Sequence, residues 1–566
     1  MMKRLCLTLF ALLAGLSAWA DYTAYVTCND GSVQAYDIAA VTDITFSADG
    51  SYLYLHANDG VTATYPVSYL TSIEFEQPSG STPVVYATDF DVTFDASDDT
   101  SYDSVTETVP TKETSPGYGD FVENYEDDEE SKGTVTITYN DNTASITYNP
   151  TNLKNKAVMA MSGTSSDVVL YATKKVDYVL KGSSTNGSLT VYGAKKCKMT
   201  LNNLSLKNAD GPAIMMPDTI LGTTEYGGKT AFVVLSGTNT IEDGNYVPVR
   251  KTKATFFSKG QLIFSGTGTL NVKANSGHGI ASNDYIRLRG GNNNPIINIT
   301  TSNEKDGISV NDYFLMYGGE LTINAADDGI SVNKGYVDIA GGKLTINSVD
   351  EGIVTGNEEN DPAVVPDITI RGGLVKVTTT GDKGMAFKTI KDFTQKGGIV
   401  QATVKGQGSK AFNADGNMSL TGGKATLLAE GLPIYDEEDS DLSSAAGIRC
   451  RGTLTIDGIS LAMKASAQGG KGINTAGLLT VKSGQVTVVT TGTKYSTGGK
   501  TCRARGITAD SGLTVSGGSV CVSSVDDALY TPQTFSFSGG AFHAFSEGHA
   551  VSAAATQHSA GWLVTR

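Results

Sequence analysis

Carboxylates recur at one place in this sequence, immediately ahead of a Gly-Ile pair. The segments read Lys305-Asp306-Gly307, Asp327-Asp328-Gly329 and Asp350-Glu351-Gly352, with Asp382-Lys383-Gly384 following. Gly-Ile pairs start at 279, 307, 329 and 352, spaced 28, 22 and 23 residues. If each spacing is one turn of a stack, equivalent side chains lie about 4.8 Å apart, as neighbouring strands do. Asp306, Asp327, Asp328, Asp350 and Glu351 then crowd a small area. Each unscreened pair costs on the order of 1 kcal/mol in water and more once desolvated. Such a group must hold a cation, protonate or splay into solvent. Calcium accepts about six to eight oxygens in loose geometry, so it is the expected cofactor.

Four residues after the same glycine stand Asn283, Asn311 and Asn333. Stacked amides bridge adjacent strands, so Asn311 and Asn333 are expected to form a structural ladder first and ligand contacts second. Asp284 and Asp312 follow two of these asparagines and extend the candidate ligand-binding set. Gly277-His278-Gly279 beside Asp327-Asp328 invites comparison with polygalacturonases. The order of the two elements is reversed here and no Arg-Ile-Lys follows, so His278 reads as a turn residue. A lyase needs calcium on a sugar carboxylate and a base for the C5 proton. Arg287, Arg289, Lys305, Arg371 and Lys388 are near in sequence, but spacing singles out none. No residue is assigned a catalytic role.

The elements that must position these groups repeat with them. The cleanest unit runs Gly329-Ile330-Ser331-Val332, Tyr336-Val337-Asp338-Ile339 and Gly341-Gly342-Lys343-Leu344-Thr345-Ile346. Gly-Gly pairs start at 290, 318, 341, 372, 397 and 422. A period of this length marks one supersecondary unit per repeat. Ile330, Val332, Val337, Ile339, Leu344 and Ile346 alternate with polar residues, so three short strands share an inward face. Three strands per turn, stacked turn on turn, make a parallel β-helix over 133–566. Leucine-rich horseshoes lack this pattern, and a propeller blade needs four strands in about 40 residues.

Upstream, residues 21–77 hold a tandem repeat at an offset of 29. Asp30-Gly31 through Phe46 recurs as Asp59-Gly60 through Phe75, which predicts a small β-rich domain. It resembles the β modules at the N-termini of secreted Bacteroidetes proteins, which implies a placement role. Residues 78–132 read as a linker and acidic polar segment, with a carboxylate run from Glu123 to Glu130. Residues 1–20 read as a signal peptide: Lys3-Arg4, an apolar run from Leu5 to Leu16, and Ala18-Trp19-Ala20 before Asp21. The expected location is therefore secreted, in the periplasm or at the cell surface, and no transmembrane segment is expected. Five cysteines follow the leader, and they read as packing residues or as a Cys450–Cys502 pair with three others free.

Composition bounds the partners. The 566 residues include 65 Gly and 14 Pro, and 43 basic against 59 acidic residues leave a net charge of −16. A chain this acidic has no stripe to displace counterions from phosphates, so nucleic acid is not an expected partner.

Several runs carry a family resemblance. They are Val179-Leu180-Lys181-Gly182, Gly187-Ser188-Leu189-Thr190, Gly211-Pro212-Ala213-Ile214, Phe257-Ser258-Lys259-Gly260 and Gly266-Thr267-Gly268-Thr269-Leu270. Gly277 through Ile286, Asp306-Gly307-Ile308 and Asp328-Gly329-Ile330 complete the set, strongest over 178–352. The pattern resembles the bacterial carbohydrate-binding domain-containing protein family, whose clostridial prototype binds cellulose and polygalacturonate. The resemblance implies an all-β, right-handed parallel β-helix with bound calcium and a polysaccharide partner, polygalacturonate-like or cellulose-like. The expected function is calcium-dependent, non-catalytic binding of acidic, pectin-like polysaccharide. A low-activity calcium-dependent lyase and a structural surface protein or adhesin are the alternatives.

Overall fold

A computed structural model describes residues 23–29, 33–58, 60–76, 130–156, 158–162, 166–217, 230–249, 253–302, 304–437 and 440–565. The expected signal peptide and nearly all of the expected linker and acidic segment lie outside these residues. Its regular secondary structure is almost entirely strand, with one α-helical turn at Leu153–Lys156 and two short 3-10 turns among the described residues. No helix among the described residues is long and apolar enough to cross a membrane. Two compact units form: residues 94–425, and a discontinuous unit of 1–93 with 426–566.

The first unit is a parallel β-helix. Its cleanest coil consists of strands Ile330–Val332, Val337–Ile339 and Lys343–Ser348. Each pairs in parallel with its equivalents one coil away. Ile308, Ile330 and Ile353 form one column, Phe314, Val337 and Ile368 a second, and Leu321, Leu344 and Val375 a third. The six apolar residues picked out by alternation, from Ile330 to Ile346, are all buried. Each contributes about 1.5–3 kcal/mol of apolar burial.

Two glycine positions per coil do different work. Gly329 has no left-handed backbone. It faces inward, where a Cβ would overlap the Ile346 side chain and the Gly352 carbonyl. The Gly-Ile pair therefore begins a strand rather than making a turn. Gly342, by contrast, has φ of +87° and supplies the bend after Ala340.

In the second unit the C-terminal coils keep the same stacking. Ile448, Ile473, Ile507, Leu529 and Val551 pair in parallel register. The N-terminal module shows the 29-residue repeat as strand, 3-10 turn, strand: Val33–Asp37, Ile38–Ala40 and Val41–Phe46, then Thr62–Pro66, Val67–Tyr69 and Leu70–Glu76. Tyr36 and Tyr65, equivalent in the two copies, meet edge to face. Strand Thr62–Pro66 then pairs antiparallel with Trp562–Thr565, Ala63 opposite Val564. Leu53, Leu55 and Tyr65 share one core with Phe545 and Val564. Tyr52 donates its hydroxyl proton to the His558 carbonyl at 3.1 Å. The module thus covers the edge that strand Trp562–Thr565 would otherwise present.

Cys28, Cys197, Cys450, Cys502 and Cys521 form no disulfide, and all but Cys521 are buried. Cys450 and Cys502 do not bridge. The packing reading holds.

An uncovered parallel edge recruits other strands. Deleting residues 21–77 should lower the melting temperature and give concentration-dependent association by light scattering. A monomer with unchanged melting would show that the module seals nothing.

Candidate functional site

The acidic segments end at the strands that begin with Ile308, Ile330 and Ile353, and the register of those strands stacks Asp306, Asp328 and Glu351 in one column. A backbone donor helps orient them: the Glu351 N–H donates to Asp328 Oδ1 at 2.9 Å. Asp327 and Asp350 stand one residue earlier. One oxygen each from Asp327, Asp328 and Asp350 lie within 4.8 Å of one another. Two ligands of a calcium ion at about 2.4 Å are at most about 4.8 Å apart, so this donor set fits calcium. All the donors are hard carboxylate oxygens.

The electrostatics point the same way. Asp306 is 7% exposed. Burial, then the neighbouring Asp327 charge, pushes its carboxyl up to about 7. Asp328 is pushed up to about 7 by burial and by Asp306. Asp350 rises to about 6 through burial and its bond to Glu351. Glu351, 5% exposed, differs from the others. It accepts from Lys388 Nζ at 2.6 Å and so already has a counter-ion. Asp327, Asp328 and Asp350 are the groups placed to share a cation, and neither Asp306 nor Glu351 belongs to that set of three.

His278 joins this column as well. It opens strand His278–Ser282, and its Nδ1 accepts the Asp306 N–H at 3.1 Å. That bond assigns the neutral tautomer with the proton on Nε2. Burial, then Lys253 and Lys305, lowers the imidazole to about 3. The Asp306 Oδ2 lies 3.3 Å from the same Nδ1, so an acceptor faces an acceptor unless Asp306 carries a proton or a cation intervenes. The signal for His278 was present in the sequence, since it precedes Gly279 as Asp306 precedes Gly307.

The other candidates lie at the far end of the same short strands, away from the acidic cluster. Asp284 accepts from the Gln261 amide. Asp312 stands 3.8 Å from Lys334, and burial raises its carboxyl. Asn333 reaches Asn311 at 3.5 Å, the limit of a hydrogen bond. Better amide ladders run along the third strand, Asn298 to Asn271 and Asn347 to Asn324, both at 2.9 Å. Arg287 and Arg371 belong to the sheet of Ile286–Leu288 and Val337–Ile339, where Arg371 pairs with Asp338. Of the basic residues considered for proton abstraction, Lys388 reaches the acidic column. Glu351 holds its ammonium above the usual lysine range, against the opposing effect of burial.

A family model described as carbohydrate-binding domain-containing protein matches residues 164–470 and again 463–550. The chain belongs to that family. Among solved structures, the polysaccharide lyase-like protein from C. thermocellum, as its gadolinium derivative, is similar at 17% identity. The match covers 51% of this chain and 99% of that one, with a TM-score of 0.36. No curated protein matches. The acidic column falls within the longer family match.

Carboxyls raised above their unfolded values stabilise the fold when protonated and cost stability once ionised. With chelator present, melting should therefore be highest near pH 4 and fall as pH rises through 6 and 7. Calcium should restore most of that loss at pH 8, and its apparent affinity should rise with pH. Differential scanning fluorimetry with EGTA or calcium across this range measures both. A flat chelated profile would mean the carboxyls are already satisfied.

Proposed function

We propose that the protein is a secreted, calcium-dependent carbohydrate-binding protein for acidic, pectin-like polysaccharide, and that it binds without cleaving. The observation that carries this reading is the acidic column. Asp327, Asp328 and Asp350 lie within reach of one calcium ion, Asp306 stacks beside Asp328, and burial with mutual repulsion pushes Asp306, Asp328 and Asp350 to near-neutral values. Family membership supports the carbohydrate, and the leader at residues 1–20 supports secretion.

Asp327, Asp328 and Asp350 would hold the ion, with Asp306 stacked beside them and His278 and Lys388 bounding the column. The ion supplies positive charge that a sugar carboxylate can approach, where bare carboxylates would repel it. The Glu351 backbone donor keeps the Asp328 side chain aimed, so less ordering remains for the moment of binding. Against the lyase reading, Lys388 is tied to Glu351 and keeps its proton.

Retention on immobilised polygalacturonate should fall at least about tenfold in excess EGTA and recover with calcium. D327N/D350N should weaken calcium-dependent retention by at least about tenfold, the value of one or two lost ionic ligands. Retention indifferent to both would overturn the calcium mechanism. Calcium-dependent melting with no ligand on a glycan array would favour the structural role. A product absorbing in the ultraviolet after incubation with polygalacturonate would favour the lyase.

A further inference from the structure

The column ahead of the Gly-Ile position is polar a second time, in the C-terminal coils. Ile473, Ile507, Leu529 and Val551 stack in register. The residues two places before them are Lys471, Arg505, Asp527 and His549. These occupy the repeat position that His278, Asp306, Asp328 and Glu351 hold in the other unit. Here the column is mainly cationic. Residues 444–566 contain ten basic and five acidic residues, in a chain with a net charge of −16. The family model also matches this stretch separately, over 463–550.

One buried carboxylate organises the group. Asp527, 1% exposed, accepts from His549 Nδ1 at 3.0 Å and from Arg505 Nε at 3.1 Å. Arg503 lies 3.5 Å away and forks onto Asp526 through two bonds of 3.0 and 2.6 Å. His549 is 71% exposed, and its bond through Nδ1 leaves Nε2 facing water. The Arg505 guanidinium lies 3.5 Å over the Tyr530 ring. Among the described residues, its one side-chain hydrogen bond is the Nε bond to Asp527.

Beside this column, Asn474, Thr508, Tyr530 and Ser552 line up on the outer face of the same strands. Thr508 is 4% exposed and its hydroxyl has no hydrogen-bond partner.

We propose that Arg505, Tyr530 and His549 form a second, calcium-independent glycan subsite that takes a carboxylate-bearing sugar residue. The terminal nitrogens of Arg505 match a carboxylate in a planar, two-point geometry. His549 offers its Nε2 to a ring hydroxyl, and the part of the Tyr530 ring that Arg505 leaves uncovered gives the sugar an apolar flank. Asp527 fixes Arg505 and His549 in advance, which limits the entropy lost on binding. The proposal shares the acidic glycan with the proposed function but is independent of calcium.

Calorimetric titration of the full chain with trigalacturonate in excess EGTA tests it. Wild type should bind, and the fully methyl-esterified trimer should bind at least about tenfold more weakly. R505Q should lose about tenfold in affinity and H549Q about threefold, the range for charge-assisted and ordinary hydrogen bonds. H549Q alters an exposed side chain, so unchanged melting for that variant separates binding from folding. The His549 ring signals should also shift saturably in NMR. Binding in EGTA that survives D327N/D350N would support this subsite even if the calcium reading failed. Binding that appears only with calcium, equal affinity for the ester, or unchanged affinity in both variants would overturn it.

Discussion

Parallel hydrogen bonding between coils keeps equivalent residues about one strand spacing apart, and this sets both the interior and the rim. Inside, it places Ile308, Ile330 and Ile353 on top of one another, so a position that is apolar once must be apolar in each neighbour. It also forces glycine at Gly329, where the Ile346 side chain leaves no room for a Cβ. At the rim, the same spacing brings like charges together whether or not they attract. Side-chain chemistry there must answer to a distance chosen by the backbone.

The two polar columns answer differently. Asp306 and Asp328 are like charges in adjacent coils, and the tension between them appears as carboxyls that hold protons near neutrality. Lys388 relieves Glu351 at one end, and a cation would relieve the rest. In the C-terminal coils, Arg505, Asp527 and His549 alternate in character, so each has a partner one coil away. The first column gains most from an added positive ion. The second is internally matched and presents what remains of its donors outward.

Much of this was legible in the sequence because the repeat is periodic. The inward residues of the coil from Ile330 to Ile346 follow from alternation, and the stacked carboxylates follow from the 22- and 23-residue spacing. Partnerships without a period were not legible. Lys388 reaches Glu351 from the far side of a longer coil that includes residues 357–366, so counting along the chain does not pair them. His278 was hidden because its chemistry differs from that of the aspartates in its column, although its position does not. The antiparallel seat of Thr62–Pro66 on Trp562–Thr565 joins segments with unrelated patterns. Asp284 and Asp312 looked close to the acidic group in sequence, but a strand carries them to its opposite end.

That seat has a bearing on biosynthesis. Tyr52 and His558 are 506 positions apart, so a ribosome delivers the module long before it delivers the surface that receives it. Coils can add one upon another as they emerge, since each needs only its predecessor. The module must wait, tethered, until the distant strand arrives. A polypeptide stopped short of Trp562 offers it no berth, and both partners then keep bare strand edges of the kind that chaperones and proteases survey. Docking of the first-made segment onto a late one therefore works as a check that everything between them has been made.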